Sequence, residues 1–318
     1  MTMKAKLIYS PEYDLISKGV GLFHPFDGQK YSRAWSELEK LKNIDLASMW
    51  VRPVQEISDE ALLSVHTSDY LQSLSKSSAI SSIIEIPLAR FLPNSLLQSR
   101  IIKPMKLACE GTRLATQYAL DDTMVMNVGG GFHHAYADHG EGFCVFADVA
   151  IAIQDARNNG SLAVDDKVLM IDLDAHRGNG FESIVKNDPA VEIFDMYNFQ
   201  VYPGIHEGDM DDFPFMIPLK NKINDDIYLS ALKEELPRFM QANEKPRLVF
   251  YNAGTDILAG DALGNLNVSF EGVVERDRYV IDMLSSLNVP TVIVTSGGYT
   301  KDSYKLIASL AAMVVNQA

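Results

Sequence analysis

Short apolar segments alternate with longer helical patterns along most of this chain, and this alternation limits the possible folds more than any other feature. The strand candidates are the apolar runs 124–128, 168–173, 191–196, 248–251 and 291–295. The helix candidates are 104–119, 145–158, 225–241, 270–287 and 302–315. Such a succession is typical of a parallel sheet with helices on both faces. The sequence therefore predicts a three-layer α/β/α fold with a mainly parallel central sheet.

The N-terminal third is less regular. A helix is predicted over 31–42, and Ser58 is the expected N-cap of another, since acidic residues follow it. Pro87 and Pro93 predict an ordered loop over 85–94 rather than a helix or strand. Because no low-complexity segment, repeat or linker interrupts the sequence, we expect a single domain over 1–318.

Composition excludes several classes of protein. The net charge of −14 argues against a nucleic-acid-binding face, and an acidic surface would suit a lysine-rich substrate, although solubility explains the charge more simply. Two cysteines, Cys109 and Cys144, form no disulfide framework and no thiolate zinc site. With neither a secretory signal, an apolar run long enough to span a membrane, nor a basic nuclear-import run, we expect a soluble cytoplasmic protein. Composition leaves the oligomeric state open.

Unusual polar or glycine-rich clusters follow four of the predicted strands. They are Gly129–His134, Asp172–His176, Asn252–Asp256 and Ser296–Tyr299. Open parallel sheets place their functional sites at the carboxyl ends of the strands. The four clusters are therefore expected to meet at one edge of the sheet.

The run Asp172-Leu-Asp174-Ala-His176 has the pattern of a metal site. Alternate residues of an extended segment point the same way, so Asp174 and His176 can bind one ion while Asp172 lies behind them. With Asp256 from another strand, one imidazole and two carboxylates leave a coordination position for water, as in catalytic zinc sites. Taken alone, such acids more often cap a loop or helix.

Two further groups could complete a catalytic site. His133 and His134 follow three glycines, which allow close approach of a substrate, and two imidazoles could divide the roles of base and acid. Tyr299, in a Gly-Gly-Tyr turn, could donate a hydrogen bond to an oxyanion. Adjacent histidines are more often ordinary loop residues, and glycine–aromatic turns are common.

Taken together these stretches resemble the arginase/deacetylase superfamily and, within it, the class IV histone deacetylases. The resemblance follows the family order over nearly the whole chain. It is carried by 24–27, 91–94, 127–134, 142–144, 171–180, 196–198, 202–204, 251–258, 260–261, 263–264 and 294–299. It implies hydrolysis of the amide that joins an acyl group to a lysine side-chain nitrogen of a protein or peptide.

The resemblance also implies a role for each matched residue. One zinc ion would be bound by Asp174, His176 and Asp256, with His133 and His134 as the tandem catalytic pair. Asp172 would support His133, and Tyr299 would stabilise the oxyanion. The remaining implied residues are substrate-binding Gly142, Phe143 and Tyr202, Leu263 near the channel rim, and Asp172 with Asp174 at a potassium site. For Phe143 and Tyr202, plain core packing is an equally good interpretation without the resemblance.

The sequence departs from the commoner deacetylase pattern at two points. Asn179, shared with class IV members, stands where many of these enzymes have the aspartate that supports the second histidine, so His134 is expected to be less basic. No acidic residue for gripping substrate backbone is recognised at the pocket rim, where 85–94 lies instead. Class IV resemblance further implies a preference for long fatty acyl groups.

Three alternatives stay open. An acetylpolyamine or other small-molecule amidohydrolase would share this zinc site and differ in its channel. An arginase-like ureohydrolase would need further aspartates, whereas Gly178 and Asn179 follow His176. A catalytically inactive acyl-lysine-binding module would be expected to have lost a ligand or the tyrosine, yet all are present.

Overall fold

The computed structural model describes residues 6–15, 27–42, 44–121, 124–204 and 213–316. Its strands are β1 (Lys6–Ile8), β2 (Trp50–Val51), β3 (Met124–Asn127), β4 (Val168–Asp172), β5 (Val191–Asn198), β6 (Phe215–Leu219), β7 (Leu248–Asn252) and β8 (Thr291–Val294). They form one sheet in the order β2-β1-β3-β8-β7-β4-β5-β6. Each neighbouring pair of these strands is parallel. The predicted parallel sheet is confirmed.

Helices cover both faces of this sheet. They are α1 (Lys30–Leu38), α2 (Leu46–Met49), α3 (Asp59–Leu63), α4 (Ser68–Ser73), α5 (Ser77–Ile83), α6 (Asn94–Leu97), α7 (Lys103–Asp121), α8 (Asp148–Asn158), α9 (Asn179–Val185), α10 (Asp225–Ala242), α11 (Phe270–Leu287) and α12 (Ser303–Asn316). One contiguous group comprises α7, α8 and α9, and another comprises α1, α12, α11 and α10. None of the helices in the described ranges is both long and apolar enough to cross a bilayer.

The apolar runs form strands because they lie in the core. Every residue of β3, β4, β7 and β8 is buried, as expected for central parallel strands covered on both faces. Helix starts follow local capping chemistry: the Ser58 hydroxyl accepts from the Ala61 amide at 3.1 Å, which confirms the predicted N-cap of α3. Asn224 and Ser269 cap α10 and α11 in the same way.

The structure corrects the sequence analysis in the N-terminal part and at one sheet edge. The interpretation of 85–94 as a loop is wrong, since a 3₁₀ helix spans Pro87–Phe91 and α6 begins at Asn94. Pro87 occupies the first helical turn, where its missing N–H costs nothing. Strands β1, β2 and β6 were not predicted. The first two are too short to show a period, and β6 carries Pro218, which an edge strand tolerates.

Strand register brings the functional loops together. Asp172, the last residue of β4, is level with Asp195 of β5 and Asn252 of β7. On the other side of β7, Asn252 is level with Val294 of β8. The segments that follow β4, β7 and β8 therefore leave the sheet at the same edge.

Candidate active site

Two aspartates and a histidine form a buried cluster at the carboxyl edge of the sheet. One potential ligand atom from each of Asp174, His176 and Asp256 lies within 4.8 Å of the other two. The Nδ1 atom of His176 is 3.0 Å from an oxygen of Asp174 and 2.9 Å from an oxygen of Asp256. The structure thus brings together the three residues that the sequence nominated as metal ligands.

The chemistry of this cluster fits a divalent cation. A single Nδ1 proton cannot fully satisfy two carboxylates, and buried acids are costly unless they are paired or bind metal. Burial and the charge of Asp174 raise the pKa of Asp256 to about 7, so a divalent cation bound by both acids would offset an unfavourable charge. The backbone is closely fitted to them, since a Cβ on Gly297 would collide with carboxylate oxygens of both.

His133 lies beside this cluster and is supported by Asp172. Its Nδ1 atom is 2.9 Å from a carboxylate oxygen of Asp172, whose other oxygen accepts from the side-chain amide of Asn252 at 2.9 Å. Burial lowers the pKa of His133, but the charges of Asp172 and Asp174 outweigh burial and raise it to about 9. These contacts favour the protonated imidazolium.

His134 has the opposite electrostatic environment. Its Nδ1 atom is 2.7 Å from the side-chain oxygen of Asn179, and its ring centroid is 4.1 Å from that of His133. Burial, followed by the charges of His133 and His176, holds the pKa of His134 well below its usual value. Adjacent groups whose pKa values are pushed apart are suited to separate acid and base roles.

Tyr299 faces the same space from the loop after β8. Its ring centroid is 6.2 Å from that of His176 and the rings are nearly perpendicular. The Tyr299 backbone amide donates to Asp261 at 2.8 Å, which fixes the turn. Burial and the charges of Asp256 and Asp174 raise the pKa of Tyr299 well above its usual value, so its hydroxyl keeps its proton and can act as a donor.

Three of the four predicted substrate-binding residues lie at the site. Gly142 and Phe143 line a pocket together with His134 and Tyr299. The φ of Gly142 is +52°, and a Cβ there would lie 2.6 Å from the His134 ring. Tyr202 is 41% exposed, and its ring centroid lies 5.0 Å from that of His134.

Leu263 is not brought into this pocket. The residues that line it, within the described ranges, do not include Leu263. Leu263 is half-buried in the loop of Asp261, and its amide donates to that carboxylate at 3.0 Å. Its place at the channel rim stays a prediction, as does the motif at 24–27, of which 24–26 lies outside the described residues.

Sequence reasoning missed three residues of the pocket wall. Leu15, Tyr31 and Met105 line the same pocket as His133 and His134. Close by, the ammonium group of Lys30 donates to the Ser296 carbonyl at 2.5 Å. The wall residues carry no catalytic chemistry, so only their position in the fold reveals them.

Asp148, at the start of α8, holds the glycine loop in place. Its carboxylate accepts from the amides of Gly131 and Phe132 at 2.9 and 2.8 Å and from the Thr112 hydroxyl at 2.6 Å. The φ of Gly131 is +82°, in the left-handed region that favours glycine. These hydrogen bonds hold the loop just before His133, which lies beside the candidate metal ligand Asp174.

Asp195 and Glu141 are two further acids that the sequence did not single out. One carboxylate oxygen of Asp195 accepts from the Gly178 amide at 2.8 Å, while its other oxygen is buried without a hydrogen-bond partner among the described residues. Burial and the charges of Asp172 and Glu182 raise the pKa of Asp195 well above its usual value. Glu141 accepts from the side-chain amide of Asn179 at 2.7 Å.

An eight-stranded parallel sheet with these loops at its carboxyl edge defines the arginase/deacetylase fold. Residues 24–316 match the histone deacetylase domain, and the chain belongs to the histone deacetylase family. It is 38% identical to Histone deacetylase 2 of Arabidopsis thaliana over 307 residues, covering 96% of this chain and 77% of that protein. The general activity that this family supports is that of a lysine deacetylase hydrolase.

More distant relatives agree on the family and the fold. Histone deacetylase B of Dictyostelium discoideum is 31% identical over 187 residues, which cover 56% of this chain but only 42% of that protein. The crystal structure of the HDA15 HD domain superposes with a TM-score of 0.77 over 99% of this chain and 88% of that one. At 20% sequence identity, this likeness concerns the fold alone.

Proposed function

We propose that the protein is a zinc-dependent deacylase, most similar to the class IV histone deacetylases, that removes acyl groups from lysine side chains of proteins or peptides. One observation carries the proposal. The buried ligand candidates Asp174, His176 and Asp256 lie together, and Asp174 lines a pocket that is also lined by His133, His134 and Tyr299. Three candidate metal ligands, two imidazoles and a phenol around one space are the groups that metal-assisted amide hydrolysis requires.

Each catalytic side chain has a distinct task in this proposal. Zinc held by Asp174, His176 and Asp256 would supply a polarised acyl carbonyl and a water of lowered pKa. The neutral His134 takes a proton from the attacking water, and the His133 imidazolium, stabilised by Asp172, gives a proton to the departing lysine amine.

Channel residues would position the substrate around this chemistry. The Tyr299 hydroxyl donates to the oxyanion that develops on the acyl carbonyl. The rings of Phe143 and Tyr202 flank the methylene stem of the lysine, and Gly142 leaves room for it beside His134. Leu263 is assigned to the rim on the resemblance alone.

We infer that the acyl group contacts Leu15, Tyr31 and Met105, because these residues line the same pocket as His133, His134 and Tyr299. These side chains are suited to an alkyl chain, which supports the long-chain preference that class IV resemblance implies. Turnover of one lysine peptide carrying acetyl, octanoyl, dodecanoyl or myristoyl groups tests this inference. The expected order favours the longer chains, and a preference for acetyl would reject it.

We also propose that a monovalent cation, potassium, binds beside the zinc site. The resemblance implies Asp172 and Asp174 as contacts, and the structure adds Asp195: it is level with Asp172 on the adjacent strand, and one of its oxygens is buried without a hydrogen-bond partner among the described residues. A cation there would offset two neighbouring acids. Potassium should therefore raise the melting temperature of the wild type above its value in tetramethylammonium chloride, and Asp195→Asn should lose that difference.

Release of acyl from an acyl-lysine peptide tests the proposed function. Activity should disappear with a chelator and return with zinc. An acetylated polyamine, assayed in parallel, separates the small-molecule alternative. Zinc-loaded, folded protein that hydrolyses no acyl-lysine substrate would contradict the proposal.

A further inference from the structure

The side-chain amide of Asn179 links His134 to Glu141. The Asn179 oxygen is 2.7 Å from the Nδ1 atom of His134, and the Asn179 nitrogen donates to a carboxylate oxygen of Glu141 at 2.7 Å. Asn179 is the first residue of α9, and its backbone amide donates to the Arg177 carbonyl at 2.9 Å. This hydrogen bond and the start of α9 hold the Asn179 backbone, so its side chain can vary only in which end of the amide faces the histidine.

Glu141 determines the orientation of the Asn179 amide, because a carboxylate can only accept hydrogen bonds. It must therefore be met by the NH₂ end of Asn179, which turns the carbonyl end towards His134. A carbonyl facing Nδ1 requires a proton on Nδ1 and leaves the lone pair on Nε2. If the amide were reversed, its NH₂ group would face Nδ1, and the proton of a neutral imidazole would move to Nε2.

We propose that Glu141 is a positioning residue that sets the tautomer of His134 through Asn179. In this tautomer Nε2 can accept a proton, as the base role of His134 requires. The kinetic consequence rests on the proposed function, whereas the tautomer itself does not. In the commoner pattern an aspartate at position 179 is acceptor-only and needs no such director. Here the neutral Asn179 presents an acceptor to His134 only because Glu141, an acceptor-only residue, contacts its NH₂ end.

Local structure holds Glu141 in place. Its carbonyl accepts from the Cys144 amide at 2.8 Å, and the two residues form a β-bridge. Its carboxylate interacts with the Tyr202 hydroxyl, and the Nε2 atom of His139 lies 3.8 Å away. Because its side chain is 34% exposed, replacement leaves no buried cavity. A loss of function in a Glu141 variant can thus be separated from a loss of folding.

Two substitutions and their combination test the proposal kinetically. Glu141→Gln keeps the shape but offers both a donor and an acceptor, so it no longer directs the amide, and kcat should fall about tenfold with little change in KM. Asn179→Asp faces His134 with an acceptor in either orientation. In that background Glu141→Gln should cost nothing or raise kcat, because it removes a repulsion between two acids. Glu244→Gln, at an exposed position, is the matched control.

A reversal of sign between the two backgrounds supports the proposal. If Glu141→Gln lowers kcat equally in both, or changes only KM, then Glu141 acts on the channel wall through Tyr202 and the proposal is wrong.

Histidine NMR gives a readout that does not depend on activity. Long-range ¹H–¹⁵N spectra of the zinc-loaded protein, assigned with His134→Gln, distinguish the two tautomers by their ring nitrogen shifts. We expect Nδ1–H in the wild type and a growing share of Nε2–H in Glu141→Gln. Nε2–H in the wild type would overturn the inference. A correct tautomer in a protein without acyl-lysine activity would instead contradict the proposed function alone.

Discussion

The two catalytic histidines beside the candidate metal ligands differ in the charge of the side chain that each one contacts. His133 and His134 are adjacent in sequence, yet the first faces Asp172 and the second faces the neutral amide of Asn179. Their pKa values are consequently moved in opposite directions. The sequence predicted both partners, because spacing and resemblance identified them. It could not show that Glu141 accepts from Asn179, since that contact joins residues 38 positions apart.

The Tyr299 hydroxyl is predicted to donate a hydrogen bond to the oxyanion. Tyr299→Phe removes only the hydroxyl, so kcat should fall on the order of a hundredfold or more, while zinc content and melting temperature stay near wild-type values. Steady-state kinetics with metal analysis checks this. Tyr279→Phe, on α11, is the control. Full activity in Tyr299→Phe would remove the residue from the mechanism.

Helices α8 and α11 help to position these residues, and the sequence predicts the bounds of one better than those of the other. Helix α11 has the predicted bounds, since Ser269 caps its start and Asn288, in the left-handed region, ends it. Helix α8 begins at Asp148, three residues later than predicted. The apolar residues Val145–Ala147 extend the periodic pattern, and the local signal of the true start is Asp148 itself, an acid in the first turn. That start depends on a tertiary contact, because the Ala147 amide donates to the Nε2 atom of His66 at 3.0 Å.

His66 is predicted to make stability depend on pH at this helix start. Burial lowers the pKa of His66 to about 4, below the usual value of about 6.5 for an unfolded chain. Between these values the unfolded chain binds a proton that the folded protein excludes. The contribution of neutral His66, about 3 kcal/mol, is therefore complete above pH about 6.5 and is lost as the pH falls towards 4.

Urea unfolding between pH 7.5 and 4.5 measures this effect. His66→Gln keeps a hydrogen-bond acceptor for the Ala147 amide but cannot titrate, so its stability should fall less steeply with pH. His139→Gln, at an exposed histidine, should follow the wild type. An identical pH slope for wild type and His66→Gln would contradict the assigned burial.

At the scale of the whole molecule, the order of strands ties distant parts of the chain together. β1 lies between β2 and β3, and β8 lies between β3 and β7. Neighbours in the sheet thus come from distant parts of the sequence, which the local pattern of residues could not reveal. We propose that 1–318 is a single domain, because β1 from the N-terminal third pairs with β3, and helix α1 packs against α12 from the other end of the sequence.

Cooperative unfolding tests that proposal. Both tryptophans, Trp35 and Trp50, lie in the N-terminal third, whereas helices occur along the whole chain. Tryptophan fluorescence and far-ultraviolet circular dichroism should therefore report one coincident denaturation curve. Two separate transitions would indicate domains that unfold independently.

The most direct measurement for the account as a whole is the position of zinc in crystals of the metal-loaded protein, located by anomalous scattering at the zinc absorption edge. We predict one strong peak per chain among Asp174, His176 and Asp256, on the side that faces His133, His134 and Tyr299. No peak among these three residues, or two peaks as in a two-metal ureohydrolase, would contradict the assignment.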